Sequence, residues 1–402
     1  MLRSLRICFY KCLMVMLKLV ARLLPQARPV IYAGPDSSLQ MCRSMACLEI
    51  KKVLIVTDPV LKKLGLLDKL TQVMDENAIE WFVYSDVIPD PTYTIVEEGV
   101  SVLREQNCDA VLAVGGGSSI DAAKVIAVLA TNDTPLRKLT GVLKVKKPGL
   151  PLFAVPTTAG TGSEVTIAAV ISDPDTHQKT PIMDPKVVPV AAALDPLLMV
   201  GMPPHITAAT GMDALTHAIE AYISTHANTE TDRYAKSAIK MILKYLPKAY
   251  GNGQDLQARE AMALASCYAG LAFTQANLGY VHAISHNLGA MYQIPHGLAN
   301  AIVLPYILEY SQDAVTDRLA QLAVAADLGT TDLGEDKLSE RFIDRVKQLC
   351  KELNIPDKVE PLNKTDIGSL AKAALKEAHY LYPVPKYMDQ RQCTALLTRM
   401  LP

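Results

Sequence analysis

Between residues 30 and 200 the hydrophobic positions fall in short runs rich in Val, Ile, Leu and Ala. Four of these runs are "KKVLIVTD" (51–58), "IEWFVYSDV" (79–87), "DAVLAVGGGSS" (109–119) and "LPLFAVPTTAGTGSE" (150–164). Each is nearly continuous in apolar character and ends in polar or glycine positions, as strands buried on both faces do. Between them, "PTYTIVEEGVSVLREQ" (91–106) and "SIDAAKVIAVLAT" (119–131) space their apolar residues as helices. This alternation predicts a doubly wound, mainly parallel sheet. After "GMPPHI" (201–206) the strand-like runs stop. "TAATGMDALTHAIEAYIS", "TDRYAKSAIKMILKYLPKAY" and "QAREAMALASCYAGLAFTQANLG" all carry a helical period. The boundary is expected at Pro203–Pro204, with an α/β domain over 29–203 and an all-α domain over 204–402. A chain of 402 residues also exceeds one ordinary core. No internal repeat or low-complexity linker interrupts it.

Residues 1–28 stand outside that pattern. "MLRSLRICFYKCLMVMLKLVARLLP" is apolar and basic, but its charge-free runs are shorter than the roughly 20 residues a membrane span needs. No small-residue cleavage site follows the apolar part. On a helix, Ser4, Lys11, Lys18 and Arg22 fall near one line, which gives a mostly apolar helix with a narrow basic stripe. Three readings follow. The helix packs on the body or on a neighbouring subunit, it docks on an anionic membrane surface, or, least in keeping with its short apolar runs, it spans the bilayer.

Composition narrows the function classes. The chain has 40 Lys and Arg against 41 Asp and Glu, a net charge of -1, so nothing marks it for nucleic acid. Charged residues are 20% of the chain, too few for long disordered tails. The 8 cysteines form no CxxC pair and read as reduced core thiols of a cytoplasmic protein.

Two clusters of residues carry chemistry. In the first half, the strand–turn–helix "VLAVGGGSSIDAAK" exposes the amides of Gly115, Gly116, Gly117 and Ser118. A helix expected to begin near Ser119 adds its positive dipole end, and together these suit a pyrophosphate. The pattern is not the GxGxxG fingerprint. A second turn, "PTTAGTGSE", offers Thr157, Thr158 and Thr161 directly after another buried strand, where α/β sheets bind ligands. Asp58 ends the strand "VLIVTD". Its carboxylate suits a ribose 2′-hydroxyl, which would favour NAD over NADP, and it equally suits the N-cap of a helix beginning at Pro59.

In the second half, Asp213 and His217 lie at i and i+4 on a helix, as do His282 and His286. His296 comes fourteen residues after His282, about 21 Å away on one unbroken helix. Gly289 and Pro295 intervene, so the chain can turn and bring it back. One carboxylate and two or three imidazoles would suit Fe(II) or Zn(II) with a position left open.

"GGGSSIDAAK", "PTTAGTGSEVT", "GMPPHITAATGMDALTHAIEAY" and "NLGYVHAISHNLGAMYQIPHGLANAIVLP" occur in order, and from about residue 30 to 400 the chain resembles the iron-containing (group III) alcohol dehydrogenases. The resemblance implies the two-domain architecture shared with dehydroquinate synthase. It implies metal ligands Asp213, His217, His282 and His296, with His286 beside them. It places Asp58, Gly116, Gly117, Thr157, Thr158 and Lys179 around NAD, and Gly115, Ser118, Thr161 and Leu198 are expected in the same cofactor site. It implies hydride transfer between a small primary alcohol or aldehyde and the nicotinamide, iron as the habitual metal with zinc possible, and a homo-oligomer. His286 is then the candidate for passing the alcohol proton outward, or for orienting a ligand. Phe273 lines the substrate pocket or packs in the core. Near the C-terminus the family often reads something like Asn-Pro-Arg where this chain has "YLYPVPKYMD", which weakens carry-over of the substrate. A lyase on the same scaffold would need Lys and Arg to hold phosphate and carboxylate, and "GMDALTHAIEAYIS" and "NLGYVHAISHNLGAMYQIPHG" contain none.

Overall fold

The computed structural model describes residues 2–23, 25–175 and 179–402. The chain forms two compact units, one of Pro25–Met202 and one of Met1–Leu24 together with Pro203–Pro402. The N-terminal helix, α1 (Leu2–Leu23), thus counts with the helical unit.

The first unit contains β1 (Val30–Ala33), β2 (Lys52–Val56), β3 (Glu80–Tyr84), β4 (Ala110–Gly115), β5 (Gly141–Val142), β6 (Leu152–Pro156), β7 (Ala168–Ser172), β8 (Lys179–Met183) and β9 (Ala191–Leu194). Its helices are α2 (Ser37–Cys47), α3 (Pro59–Lys63), α4 (Asp68–Glu76), α5 (Tyr93–Glu105) and α6 (Gly117–Thr131). Among the described residues, six strands form one sheet in the order β1-β9-β6-β4-β2-β3, parallel at every pairing. Alternate side chains leave opposite faces. Leu54, Val56, Val111, Ala113, Leu152 and Ala154 join one core with α5 and α6. Val53, Ile55, Leu112, Val114, Phe153 and Val155 join the other with α2 and α4. Both faces are therefore covered, which is why these strands read as continuous apolar runs. From β2 the chain adds β3 on one side and then returns to place β4 on the other. The carboxyl ends of β2 and β4 flank this change of direction, where open α/β sheets take ligands.

A smaller sheet, β5-β8-β7, pairs β7 with β8 antiparallel. No continuous apolar run announces it, because β5 has only 2 residues and β7 and β8 are covered on one side alone.

The second unit is helical throughout its described residues: α7 (Pro204–Ile223), α8 (Thr229–Gly251), α9 (Leu256–Ala276), α10 (Tyr280–Tyr292), α11 (His296–Ser311), α12 (Thr316–Ala325), α13 (Glu335–Glu352), α14 (Ile367–Leu381) and α15 (Gln390–Thr398). α7 packs against α8, α9 and α11, and every residue from Gly211 to Ile223 is buried. It is a central helix rather than an amphipathic surface one. α10 packs against α11 and α14. α1 lies on α14 with Met14 buried. The His226 Nε2 hydrogen-bonds with the Met14 carbonyl at 3.0 Å, and the Lys18 Nζ donates to the Thr225 carbonyl at 2.9 Å. Lys18 thus turns toward the body and does not belong to an outward basic stripe.

Three further expectations are corrected. The helix after the glycine turn begins at Gly117, two residues before Ser119. Gly289 lies inside α10, and the chain turns at Gln293, whose φ is 55°, before α11 starts on His296. All eight cysteines are free, but Cys8, Cys12 and Cys47 are exposed rather than in the core.

Candidate active site

In the α/β unit the two polar turns are brought together. β4 pairs with β6 so that Gly115 faces Pro156, and the Thr157 amide donates to the Gly115 carbonyl at 3.0 Å. A Cβ on Gly117 would stand 2.7 Å from the Thr161 Cγ2, and one on Gly116 would stand 3.4 Å from the Thr158 Oγ1. The approach at Gly117 leaves no room for a side chain, whereas Gly116 stands at ordinary contact distance, and Ser118 follows in the first turn of α6. Asp58 follows the neighbouring strand β2. Its Oδ1 accepts from the Val60 and Leu61 amides at 2.9 and 3.0 Å, so it does cap α3.

Leu198 ends a short 3-10 turn after β9 and packs against the core. Lys179 lies at the start of β8 in the smaller sheet, and its Nζ pairs with the Asp90 carboxylate at 2.6 Å. Asp121 and Lys124, from the same "GGGSSIDAAK" motif, tie α6 to the end of the second turn and to β7. Asp121 accepts from the Ser163 hydroxyl at 2.6 Å and from the Val170 amide at 2.9 Å. The buried Lys124 Nζ donates to the Thr166 and Ala168 carbonyls at 2.9 and 2.7 Å. Burial pushes this amine down to about 8, while the Asp121 carboxylate pulls the other way.

In the helical unit four residues converge. Asp213 and His217 stand one turn apart on α7, His282 comes from α10 and His296 opens α11. The Nε2 atoms of His217, His282 and His296 lie 3.9, 3.8 and 3.6 Å from the Asp213 Oδ1. One ligand atom each from Asp213, His217 and His282 fall within 4.8 Å of one another. Donors each about 2.1 Å from a single ion would stand roughly 3–4 Å apart, so the spacing fits one cation. The helix turn at Gln293 achieves this, bringing the His282 and His296 rings to 5.4 Å between centroids. The first three side chains are buried, whereas that of His296 is 34% exposed, which opens the site on one side.

The groups around these four residues fit a cation as well. The Asn300 Nδ2 donates to the Asp213 Oδ1 at 2.7 Å and lies 3.2 Å from the Nε2 atoms of both His282 and His296. A positively polarised group therefore stands where the lone pairs meet, and the buried Asn300 Oδ1 has no hydrogen-bond partner. The His282 Nδ1 donates to the Glu220 Oε2 at 2.6 Å. That bond turns the Nε2 lone pair toward Asp213, as carboxylates behind ligating histidines do. Burial favours the neutral form of each partner. It pushes the Glu220 carboxyl up to about 8, and it holds the His282 imidazole well below its ordinary value, assisted by the neighbouring His217, His296 and His286. Phe273 is half-buried, and its ring stacks on His217 at 4.3 Å.

His286 stands beside the cluster. Its ring stacks on His296 at 5.2 Å and its Nδ1 donates to the Glu377 Oε1 at 2.6 Å. The Tyr382 hydroxyl donates to the same oxygen at 2.7 Å, which draws the "YLYPVPKYMD" segment into this chain of hydrogen bonds.

Glu220, Asn300, Glu377 and Tyr382 were not read from the sequence. Glu220 and Asn300 carried a signal: Glu220 lies seven residues after Asp213 on α7, and Asn300 lies four after His296 on α11. Glu377 reaches His286 from 91 residues away with no local sign.

The chain is similar to known proteins along most of its length. The chain matches the family of iron-containing alcohol dehydrogenases over residues 29–196 and the C-terminal part of the Fe-containing alcohol dehydrogenase family over residues 207–401. It is 42% identical over 330 residues to alcohol dehydrogenase 4 of Schizosaccharomyces pombe, covering 82% of this chain and 77% of that one. It is 42% identical over 329 residues to the NAD-dependent methanol dehydrogenase of Bacillus methanolicus, covering 81% and 86%. A crystal structure of 1,3-propanediol oxidoreductase superposes with a TM-score of 0.91 at 38% identity, covering 94% of this chain and 100% of that one. With both family patterns matched in order along most of its length, the chain belongs to the iron-containing alcohol dehydrogenase family.

Proposed function

We propose that Asp213, His217, His282 and His296 are the iron ligands of an enzyme that moves a hydride between a small primary alcohol, or its aldehyde, and NAD(H). The enzyme class is an NAD- and metal-dependent alcohol dehydrogenase. One observation carries the ligand assignment: three imidazole nitrogens stand 3.6–3.9 Å from one carboxylate oxygen. Zn(II) accepts the same donors.

When bound, the ion supplies Lewis acidity to the alcohol or carbonyl oxygen, and the nicotinamide supplies the two-electron acceptor or donor. The chain does the rest. Glu220 keeps His282 in the tautomer whose Nε2 is unprotonated. The Phe273 ring holds His217 flat against it. With its Nδ1 committed to Glu377, His286 uses Nε2 to take the alcohol proton and pass it outward. In the α/β unit, the amides of Gly115, Gly116, Gly117 and Ser118 and the hydroxyls of Thr157, Thr158 and Thr161 hold the diphosphate. Both cap bonds of Asp58 fall on Oδ1, which leaves Oδ2 for ribose. Leu198 borders the dinucleotide, and Lys179 joins it by sharing its pair with Asp90. A cytoplasmic location, peripheral membrane contact through residues 1–24 and assembly into a homo-oligomer belong to the same proposal.

The test is NADH oxidation with a panel of short aldehydes, using metal-stripped protein reloaded anaerobically with Fe(II) or Zn(II). Turnover returns with the added ion. Folded protein that binds NADH and stays inactive with either ion and every aldehyde would overturn the reading.

A further inference from the structure

One face of α1 remains unaccounted for by catalysis. Its inner side is held to the helical unit by Met14, by Lys18 and by Tyr10, whose ring lies 5.0 Å from His379 and 5.3 Å from Tyr380. Its outer side exposes Leu5, Phe9, Val15, Met16, Leu19 and Val20, each more than two-fifths accessible. At 100° per residue, Leu5, Phe9, Met16 and Leu19 lie within about 40° of the direction opposite Met14. The apolar face thus points away from the body the helix is attached to. A solvated surface helix shows the reverse arrangement. Tyr380 and Leu381 at the end of α14 are also exposed and extend the patch. An open groove lined by Leu5, Arg6, Phe9, Tyr10 and Tyr380 runs along the junction.

Charge selects the occupant. The chain as a whole is nearly balanced, with 40 Lys and Arg against 41 Asp and Glu. Yet the charged residues before Asp36 are Arg3, Arg6, Lys11, Lys18, Arg22 and Arg28, all basic. Arg6 and Lys11 are exposed on either flank of the apolar face. A second copy docking here would bring like charges together, whereas an anionic lipid surface complements them. Among the described residues no helix is long and apolar enough to cross a membrane.

From this face, and from the reading of residues 1–24 as a membrane-contact segment, we propose that α1 lies in the plane of an anionic lipid bilayer. Its outer side chains enter the headgroup–acyl boundary while its inner side stays latched to the helical unit. Arg6 and Lys11 meet lipid phosphates, and Tyr380 sits at the headgroup level as interfacial tyrosines do. The enzyme is thereby held at a membrane with its catalytic unit intact.

The full chain is mixed with vesicles of phosphatidylcholine alone or with 30% phosphatidylglycerol and sedimented, with NADH turnover of the metal-loaded enzyme measured in parallel. Roughly tenfold or greater preference for the anionic vesicles is expected, declining as salt is raised. Phe9→Ser/Met16→Ser should abolish sedimentation with turnover unchanged, and Arg6→Gln/Lys11→Gln should remove the anionic preference. Absence of vesicle binding by the full chain would overturn the proposal. So would concentration-dependent self-association that the Phe9→Ser/Met16→Ser variant loses, without vesicle binding, because the occupant would then be a second copy. Turnover is read separately, so failure of the catalytic reading would remain distinguishable from failure of this one.

Discussion

The carboxylate of Glu220 meets three donors at once. Its Oε1 accepts from the Val281 amide at 2.7 Å, and its Oε2 accepts from the Gly279 amide at 2.9 Å and from the His282 Nδ1 at 2.6 Å. One residue therefore anchors the N-terminus of α10 and selects the tautomer of a candidate ligand. An amide in its place has one acceptor oxygen and must present N–H to at least one of those donors. Glu220→Gln should weaken Fe(II) or Zn(II) binding about 10- to 100-fold and cost about 1–3 kcal/mol of stability, with NADH affinity unchanged. Chelator competition and nucleotide titration measure the two affinities. Metal affinity equal to the parent's would mean that backbone packing alone orients His282. At this scale the ligand types and their i, i+4 pairs were plain in the sequence. Glu220 stands in the same stripe of α7 without a sign of its role, because an acid on a helix is more often solvated than buried.

Helix α11 is placed by contact with α7. A Cβ on Gly297 would stand 2.4 Å from the Ala209 carbonyl oxygen, which is helix backbone and cannot swing aside. Glycine here lets the two helices approach until His296 reaches Asp213. Gly297→Ala should push α11 outward, lower metal affinity and destabilise by about 1–3 kcal/mol. Gly289→Ala, inside α10 with its nearest contact at 3.5 Å, should be neutral or stabilising by about 0.5–1 kcal/mol. Thermal melts with and without metal compare the pair, and equal effects would show that the close approach is not what seats His296. The strands β2, β3, β4 and β6 were legible because burial on two faces writes an unbroken apolar run. The strands β5, β7 and β8 were not, since their pairing is set by partners rather than by their own pattern.

The candidate nucleotide turns and the candidate metal cluster lie in different compact units, so each ligand should protect its own unit. Hydrogen exchange on metal-stripped protein checks this. Adding Fe(II) or Zn(II) should slow exchange in α7, α10 and α11, whereas NADH should slow it after β2, β4 and β6. Metal-induced protection confined to the α/β unit would contradict the assignment of the two sites. Near residue 203, where the chain passes from one compact unit to the other, the helical period replaces the strand period.

The sequence alone determined what is periodic or local: the alternation of strand and helix, the glycine and threonine turns, and histidines one helical turn apart. Those follow from backbone geometry over a few residues. Tertiary structure decided which groups meet across long separations, because contact between helices depends on packing and not on spacing along the chain. It placed His296 against Asp213 through the turn at Gln293, set Asn300 among the candidate ligands and joined His286 to Glu377. It also decided which side of α1 faces outward, since the sequence shows an apolar helix and only its attachment through Met14 shows which face is left exposed.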